Sequence, residues 1–456
     1  MAELIISISG MRGIVGENLT GAIACEYGAA FGTFLKSKTA EKISVAIGQD
    51  SRPSGNMIKA AVSAGLCSVG VDVVDLGIVT TPCVGIMLRE LGCAGGVVIT
   101  ASHNPLPFNG IKLLLGNGIA PDPATAEAIK KIYFDKSFGY VTSPQCGKIK
   151  ADDRTGKVHI DKVLAIIDKN KIAAKKIKIA LDCVNGAGGP VTKELLGILG
   201  CEVVAINDEP TGMFAHTPEP TAENIIDLRQ LVVRAGADIG FAQDPDADRL
   251  AIVDEKGNYI GEEYTLALAA KFIYNSMKGP AAANLSTSRM IDDVAGGAGA
   301  KVVRTPVGEA NVAKAMIENK CVIGGEGNGG IIDLRVGPVR DSLVGIGLVL
   351  QLMADTGKKV SELVGEIPSY YMKKDKLEAD KTLAGKICEG AKAVFTDARL
   401  DTADGYRFDF ADGWVHLRTS NTEPVMRIIV EATDKAAAER YIGKVNEIRR
   451  SVVSGQ

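Results

Sequence analysis

Short apolar, β-branched runs alternate along the chain with longer Ala/Leu/Lys segments. "KISVAIG" (Lys42–Gly48), "VDVVDLG" (Val71–Gly77), "KIKIALDC" (Lys176–Cys183), "CEVVAIN" (Cys201–Asn207) and "ADIGFAQD" (Ala237–Asp244) read as strands. "GAIACEYGAAFGTFLKS" and "PVTKELLGILG" carry helical periodicity. Strand, helix, strand in succession predicts parallel α/β layers. This rhythm runs to about residue 365, with polar, Gly-bearing breaks near Asp153–Lys157, Asp254–Glu262 and Gly365–Lys374. The tail "YRFDFADGWVHLRTSNTEPVMRIIVEAT" reads instead as antiparallel strands with an end helix, an α+β module. The expected domains are 1–153, 154–257, 258–368 and 369–456.

A length of 456 residues leaves room for three or four domains, at roughly 100–200 residues each. The net charge of −3 gives no footprint for nucleic acid. A local basic pocket for a small anion remains open. The nine cysteines form no C-x-x-C pair and no zinc spacing, so a reducing cytoplasm is expected. "MAELIISISG" lacks the make-up of a signal peptide. The longest apolar run, near Ser342–Ala354, reads as a core helix, because a bilayer span needs ~20 residues. A soluble cytoplasmic protein with no membrane partner is expected.

Four stretches carry candidate chemistry. In "GGVVITASHNPLPFNGIKLL" a buried strand runs into Thr100, Ala101, Ser102, His103, Asn104 and Pro105. A cap or turn would explain Ser102. The flanks lack the G-x-S-x-G elbow, and an adjacent His103 is poorly placed to activate the hydroxyl, so a hydrolase triad fits badly. Phosphoryl chemistry on Ser102 fits better if a metal is near. "AQDPDADRL" supplies one: Asp244, Asp246 and Asp248 at period two share one side of an extended segment. Hard oxygen ligands suit Mg²⁺. A solvated acidic loop is one alternative. An EF-hand is another, with Glu255 at its twelfth position, but Arg249 stands where that loop needs Gly. "IGGEGNGG" (Ile323–Gly330) is a glycine turn or, through Glu326 and Asn328, a grip on vicinal hydroxyls. "LRTSNTEPVMRI" (Leu417–Ile428) offers Arg418, Ser420, Asn421, Thr422 and Arg427, either an ordinary turn or a phosphate cradle.

In this order the four stretches resemble the α-D-phosphohexomutase family of phosphoglucomutases, phosphomannomutases and phosphoglucosamine mutases. T-A-S-H-N-P resembles its phosphoserine loop, D-P-D-A-D-R its metal loop, G-E-G-N-G-G its sugar loop and R-T-S-N-T-E-P its phosphate loop. "SGMRGIVG" with Arg12, "GQDSRPSG" with Arg52, "NGAGG" and "HTPEPTAEN" fit as well. The resemblance implies three related mixed α/β domains and a C-terminal α+β domain around a central cleft. It implies phospho-Ser102, Mg²⁺ on Ser102 and the three Asp residues, and a hexose 1,6-bisphosphate as intermediate and activator. Arg12 and Arg249 join the catalytic groups, and Lys112 and His103 are candidates to carry the proton. Glu326 and Asn328 would hold the sugar and the Arg418 loop its phosphate.

The sugar loop departs from the G-E-M-S-G-H of several relatives, with Asn328 for Ser and Gly330 for His. V-G-E at Val307–Glu309 resembles phosphoglucosamine and archaeal-type mutases, and Glu309 would attract a substrate ammonium. The expectation is therefore glucosamine 6-phosphate to glucosamine 1-phosphate. Phosphoglucomutase or phosphomannomutase activity, a Mg²⁺-dependent sugar phosphatase and a non-catalytic binder are the alternatives. A monomer or homodimer is expected.

Overall fold

The computed structural model describes residues 4–8, 10–419 and 425–454. Among them lie four sheets. The first has the order Ile5–Ser7, Gly10–Ile14, Phe108–Leu115, Gly95–Ile99, Ser44–Gln49, Asp72–Ile78, Ile149–Ala151. The second runs Leu250–Val253, Ile239–Gln243, Lys178–Asp182, Glu202–Ile206, and the third Val302–Thr305, Ala281–Asn284, Ile323–Glu326, Gly330–Ile332.

One four-strand motif recurs in all three. Its first strand (Ser44–Gln49, Lys178–Asp182 or Ala281–Asn284) lies between two parallel neighbours. A fourth strand then folds back antiparallel on the third. The sheets therefore keep the parallel strands that the strand–helix rhythm predicts and add antiparallel strands to them, which makes each sheet mixed. The last two strands of each motif are joined by a short turn, with no room for the helix that a parallel connection needs. Those turns are residues 100–107, 244–249 and 327–329, so three of the four candidate stretches occupy the same place in three copies of one motif.

Helices cover the sheets and bury their apolar stripes. Gly21–Lys36 packs on Gly55–Ser68 so closely that a Cβ at Gly65 would stand 2.0 Å from the Cys25 carbonyl oxygen. The Ser342–Thr356 helix is buried on nearly every face, as its uniformly apolar sequence requires. No described helix is long and apolar enough to cross a membrane. The C-terminal sheet is antiparallel throughout, in the order Tyr371–Glu378, Val425–Ala432, Gly413–Thr419, Tyr406–Asp409, Arg399–Asp401. Apolar residues of helices Lys381–Val394 and Lys435–Ser454 complete its core.

Candidate active site

The fully buried strand Gly95–Ile99 ends at a loop shaped by polar bonds. Thr100 Oγ1 donates to Asp50 Oδ2 at 2.6 Å and accepts from the Ser102 amide at 2.9 Å. Ser102 has φ 49°, a left-handed conformation that a non-glycine residue adopts only under constraint. Arg52 supplies that constraint. Its buried guanidinium pairs with Asp50 at 3.0 Å and donates to the carbonyls of Ser102, Asn104, Pro105 and Phe108. The loop is held from behind, and the Ser102 hydroxyl is left to donate to Asp244 Oδ2 at 2.8 Å. His103 Nδ1 lies 3.4 Å from Ser102 Oγ, too far for a strong hydrogen bond.

The three aspartates converge as expected, but a tight turn brings them together, not an extended segment. Residues 244–249 connect two antiparallel strands, the Ala247 amide closes on the Asp244 carbonyl, and Ala247 has φ 52°. One carboxylate oxygen from each lies within 4.8 Å of the others. Several of their oxygens are already engaged. Asp244 Oδ1 accepts from the amides of Asp248 and Arg249, Asp246 Oδ2 from Thr81 Oγ1 at 2.5 Å, and Asp248 Oδ2 from Arg340 at 2.6 Å. Asp246 Oδ1 and Asp248 Oδ1 are buried without a hydrogen-bond partner. Burial and then the charges of Asp246 and Asp248 push the Asp244 carboxyl well above the usual range. Orphaned buried oxygens on mutually repelling carboxylates fit a hard divalent cation, which satisfies both demands. Glu255 turns away to Ser361 Oγ, so no EF-hand forms.

Lys112 Nζ donates to Asp246 Oδ2 at 2.8 Å and approaches Asp248 Oδ2 at 3.4 Å. Burial opposes its charge, but Asp246 and Asp248 prevail and hold it above the ordinary lysine range. Lys112 is thus a cationic donor. His103 is the reverse: burial, then Arg249 and Arg12, push it down to about 2, so the ring is neutral. Arg12 reaches the serine loop through Asn104 Oδ1 at 2.9 Å. Arg249 lies beside Asp248 and pairs with Glu219 at 3.3 Å.

The third turn joins this cluster through a residue that the sequence reading missed. Glu326 is buried, with Oε1 accepting from Asn284 and the Gly308 amide and Oε2 from Arg340 at 2.7 Å. Arg340 therefore links the metal loop to Glu326. Asn328 caps the Gly330 amide at 3.2 Å and makes no bond to the serine or metal loops. Arg418 pairs with Asp404 at 3.0 Å, and Asp404 also accepts from the Val307 amide at 2.9 Å. Arg427 is exposed on the neighbouring strand, opposite Arg418 in register. Ser420, Asn421 and Thr422 lie outside the described residues.

Family models match in sequence order over nearly the whole chain. They are phosphoglucomutase/phosphomannomutase alpha/beta/alpha domain I at residues 4–139, domain II at 157–257 and domain III at 261–371, with the C-terminal domain at 366–448. A phosphoglucomutase/phosphomannomutase of Thermococcus kodakarensis is 39% identical over 440 residues, 95% of each chain. The chain belongs to the α-D-phosphohexomutase family. A Methanopyrus kandleri protein named "Probable phosphoglucosamine mutase" is 38% identical over 97% of each chain. The crystal structure of a phosphoglucomutase/phosphomannomutase family protein from Burkholderia thailandensis superposes with a TM-score of 0.87 at 27% identity, over 99% of both chains.

This phosphohexomutase uses several side chains that no local pattern announces. Thr81 holds Asp246 from the first position of a helix capped by Thr80, and Arg340 precedes another cap, Asp341. Arg52 lies in a stretch that supported the resemblance, yet its clamp on the serine loop needed the fold. A basic residue just before a buried helix was the one available hint of Arg340.

Proposed function

We propose that this phosphohexomutase interconverts hexose 6- and 1-phosphates through phospho-Ser102 and a 1,6-bisphosphate, with glucosamine phosphate as its preferred substrate. The observation that carries the mechanism is the contact of Ser102 Oγ with Asp244 Oδ2 at 2.8 Å, beside two orphaned carboxylate oxygens. Asp244, Asp246 and Asp248 would hold Mg²⁺ with a phosphoserine oxygen. When bound, it supplies Lewis-acid polarisation of the phosphoryl group. The bond from phosphorus to Ser102 Oγ breaks as one to a sugar hydroxyl oxygen forms, and the proton of that hydroxyl passes to Ser102 Oγ, with the neutral His103 ring, 3.4 Å from that oxygen, placed to relay it. Lys112 and Arg249 spread positive charge over the transferring group, where phosphoryl transfer needs it. Arg418, near the end of its strand, grips the phosphate that is not reacting. After the bisphosphate reorients, its other phosphoryl group returns to Ser102.

Glu309 supports the amino sugar. Its side chain keeps 24% exposure, and Oε2 stands 3.5 Å from Arg340 Nε, leaving an edge able to attract an ammonium. The names of relatives support both this sugar and a second reading, a general glucose/mannose mutase. The test measures isomerisation of the 1- and 6-phosphates of glucosamine, glucose and mannose, with Mg²⁺, a trace of hexose 1,6-bisphosphate and a Ser102→Ala control. Faster turnover of glucosamine phosphate supports the substrate assignment, and comparable or faster glucose and mannose turnover discards it. Full activity in Ser102→Ala overturns the mechanism.

A further inference from the structure

Arg340 occupies a site that only a glycine at 330 leaves open. A Cβ at Gly330 would stand 2.2 Å from Arg340 Cδ and 2.8 Å from Cγ. Through that gap the guanidinium, whose side chain is 10% exposed, reaches Asp248 Oδ2 at 2.6 Å and Glu326 Oε2 at 2.7 Å. Its own amide donates to Glu309 Oε1 at 2.9 Å. The same short segment seats the metal turn again: Ser342 Oγ donates to the Ala247 carbonyl at 2.7 Å. The sugar turn also meets it directly, with the Leu250 amide donating to the Gly329 carbonyl at 3.0 Å.

A carboxylate free to rotate can offer a metal either oxygen or both. At Asp248 that freedom is gone, since Arg340 takes Oδ2 and leaves Oδ1 without a hydrogen-bond partner, with Arg249 Nε no nearer than 3.9 Å. An arginine fork can hold two carboxylates in fixed directions, whereas a lysine is a single point charge. We propose that Arg340, admitted by Gly330, is a positioning residue that presents Asp248 Oδ1 to the metal and locks the metal turn to the sugar-binding unit. The inference rests on the metal site of the proposed function. It assigns Gly330 a purpose: the missing side chain is space for the arginine.

The experiment titrates Mn²⁺ into wild type, Arg340→Lys and Gly330→Ala by calorimetry, without sugar, and records kcat and KM separately. Both variants keep every charge, so a loss of affinity reports geometry. Each is expected to bind Mn²⁺ about 10- to 100-fold more weakly, as when groups that orient metal ligands are removed. In each, kcat should fall more than KM changes. Circular dichroism establishes that the variants are folded, and Gly330→Ala, a single added methyl, carries the test if Arg340→Lys does not fold. Mn²⁺ affinity equal to or tighter than wild type in a folded variant overturns the proposal and leaves Arg340 a structural ion pair. Lack of isomerisation by wild type would defeat the proposed reaction, while the Mn²⁺ isotherms would still decide the role of Arg340.

Discussion

Ser102 Oγ donates to Asp244 Oδ2 at 2.8 Å across 142 positions of sequence. The bond joins the turn of one α/β unit to the equivalent turn of the next. It places the hydroxyl proposed to carry the phosphoryl group directly against a proposed metal ligand. Asp244→Asn keeps the shape and removes the charge. Isomerisation is expected to slow by at least about 100-fold, or about 2.7 kcal/mol of transition-state stabilisation. Intact-mass spectrometry after incubation with hexose 1,6-bisphosphate and Mg²⁺ should show one added phosphoryl group on wild type and none on Ser102→Ala. Equal labelling of the two would contradict the assignment.

Lys112 would oppose the charge of a metal held by the three aspartates. It donates to Asp246 Oδ2 and approaches Asp248 Oδ2, yet Thr81 and Arg340 also hold those atoms. Lys112→Met therefore removes positive charge without freeing either carboxylate. Mn²⁺ should bind about tenfold more tightly, since tenfold is only about 1.4 kcal/mol of relieved repulsion. Turnover should fall, because the transferring group loses a cation. Weaker Mn²⁺ binding by calorimetry would show that Lys112 orients the carboxylates instead.

Arg52 acts through the backbone of the loop that carries Ser102, the serine proposed to take the phosphoryl group. It neutralises buried Asp50 and grips four carbonyls of the serine loop. Arg52→Met should cost about 3–5 kcal/mol in urea unfolding, because Asp50 is left buried and unpaired. Arg52→Lys should recover part of that stability but little of kcat, since a point charge cannot grip all four carbonyls. Full recovery of kcat by lysine would reduce Arg52 to a counter-charge.

His159 gives the fold a dependence on alkaline pH. It bridges Cys83 Sγ at 3.2 Å and Asp341 Oδ2 at 2.6 Å, all three buried. Burial pulls the imidazole down, but Asp341 and then Cys83 more than offset it and hold its pKa at about 10. A raised folded-state value stabilises fully below the unfolded value of ~6.5 and is lost as pH rises toward that of the folded state. The stability difference between wild type and His159→Gln should thus be largest near pH 6, on the order of 3 kcal/mol. It should shrink as pH rises to about 10. Thermal melts across this range check it, and a constant difference would count against a charged His159.

Much of the local structure was legible from patterning. The runs near Ser44–Gln49, Lys178–Asp182 and Ile239–Gln243 are strands, and the apolar stretch from Ser342 is a buried helix. These follow from periodicity because each element buries a face its own residues define. The mixed sheets were not legible, since β-branched runs say nothing about strand direction. The convergence of Asp244, Asp246 and Asp248 was expected for the wrong geometric reason. A turn with Ala247 at φ 52° gathers them, although strict alternation suggested an extended face.

The sequence by itself determined the chemistry available: a serine at a strand end, three alternate aspartates, a glycine-rich turn with Glu326, and Arg418 just before a Ser-Asn-Thr run. Ordered motifs carry that much because each is a local set of residue types. Only the tertiary structure decided how they act together. Three copies of one strand motif bring distant turns face to face, and Arg52, Thr81 and Arg340 then fix which oxygen each partner leaves free. Those contacts span elements far apart in the chain. Hydrogen-bond direction and close approach are set by packing, which no local pattern encodes.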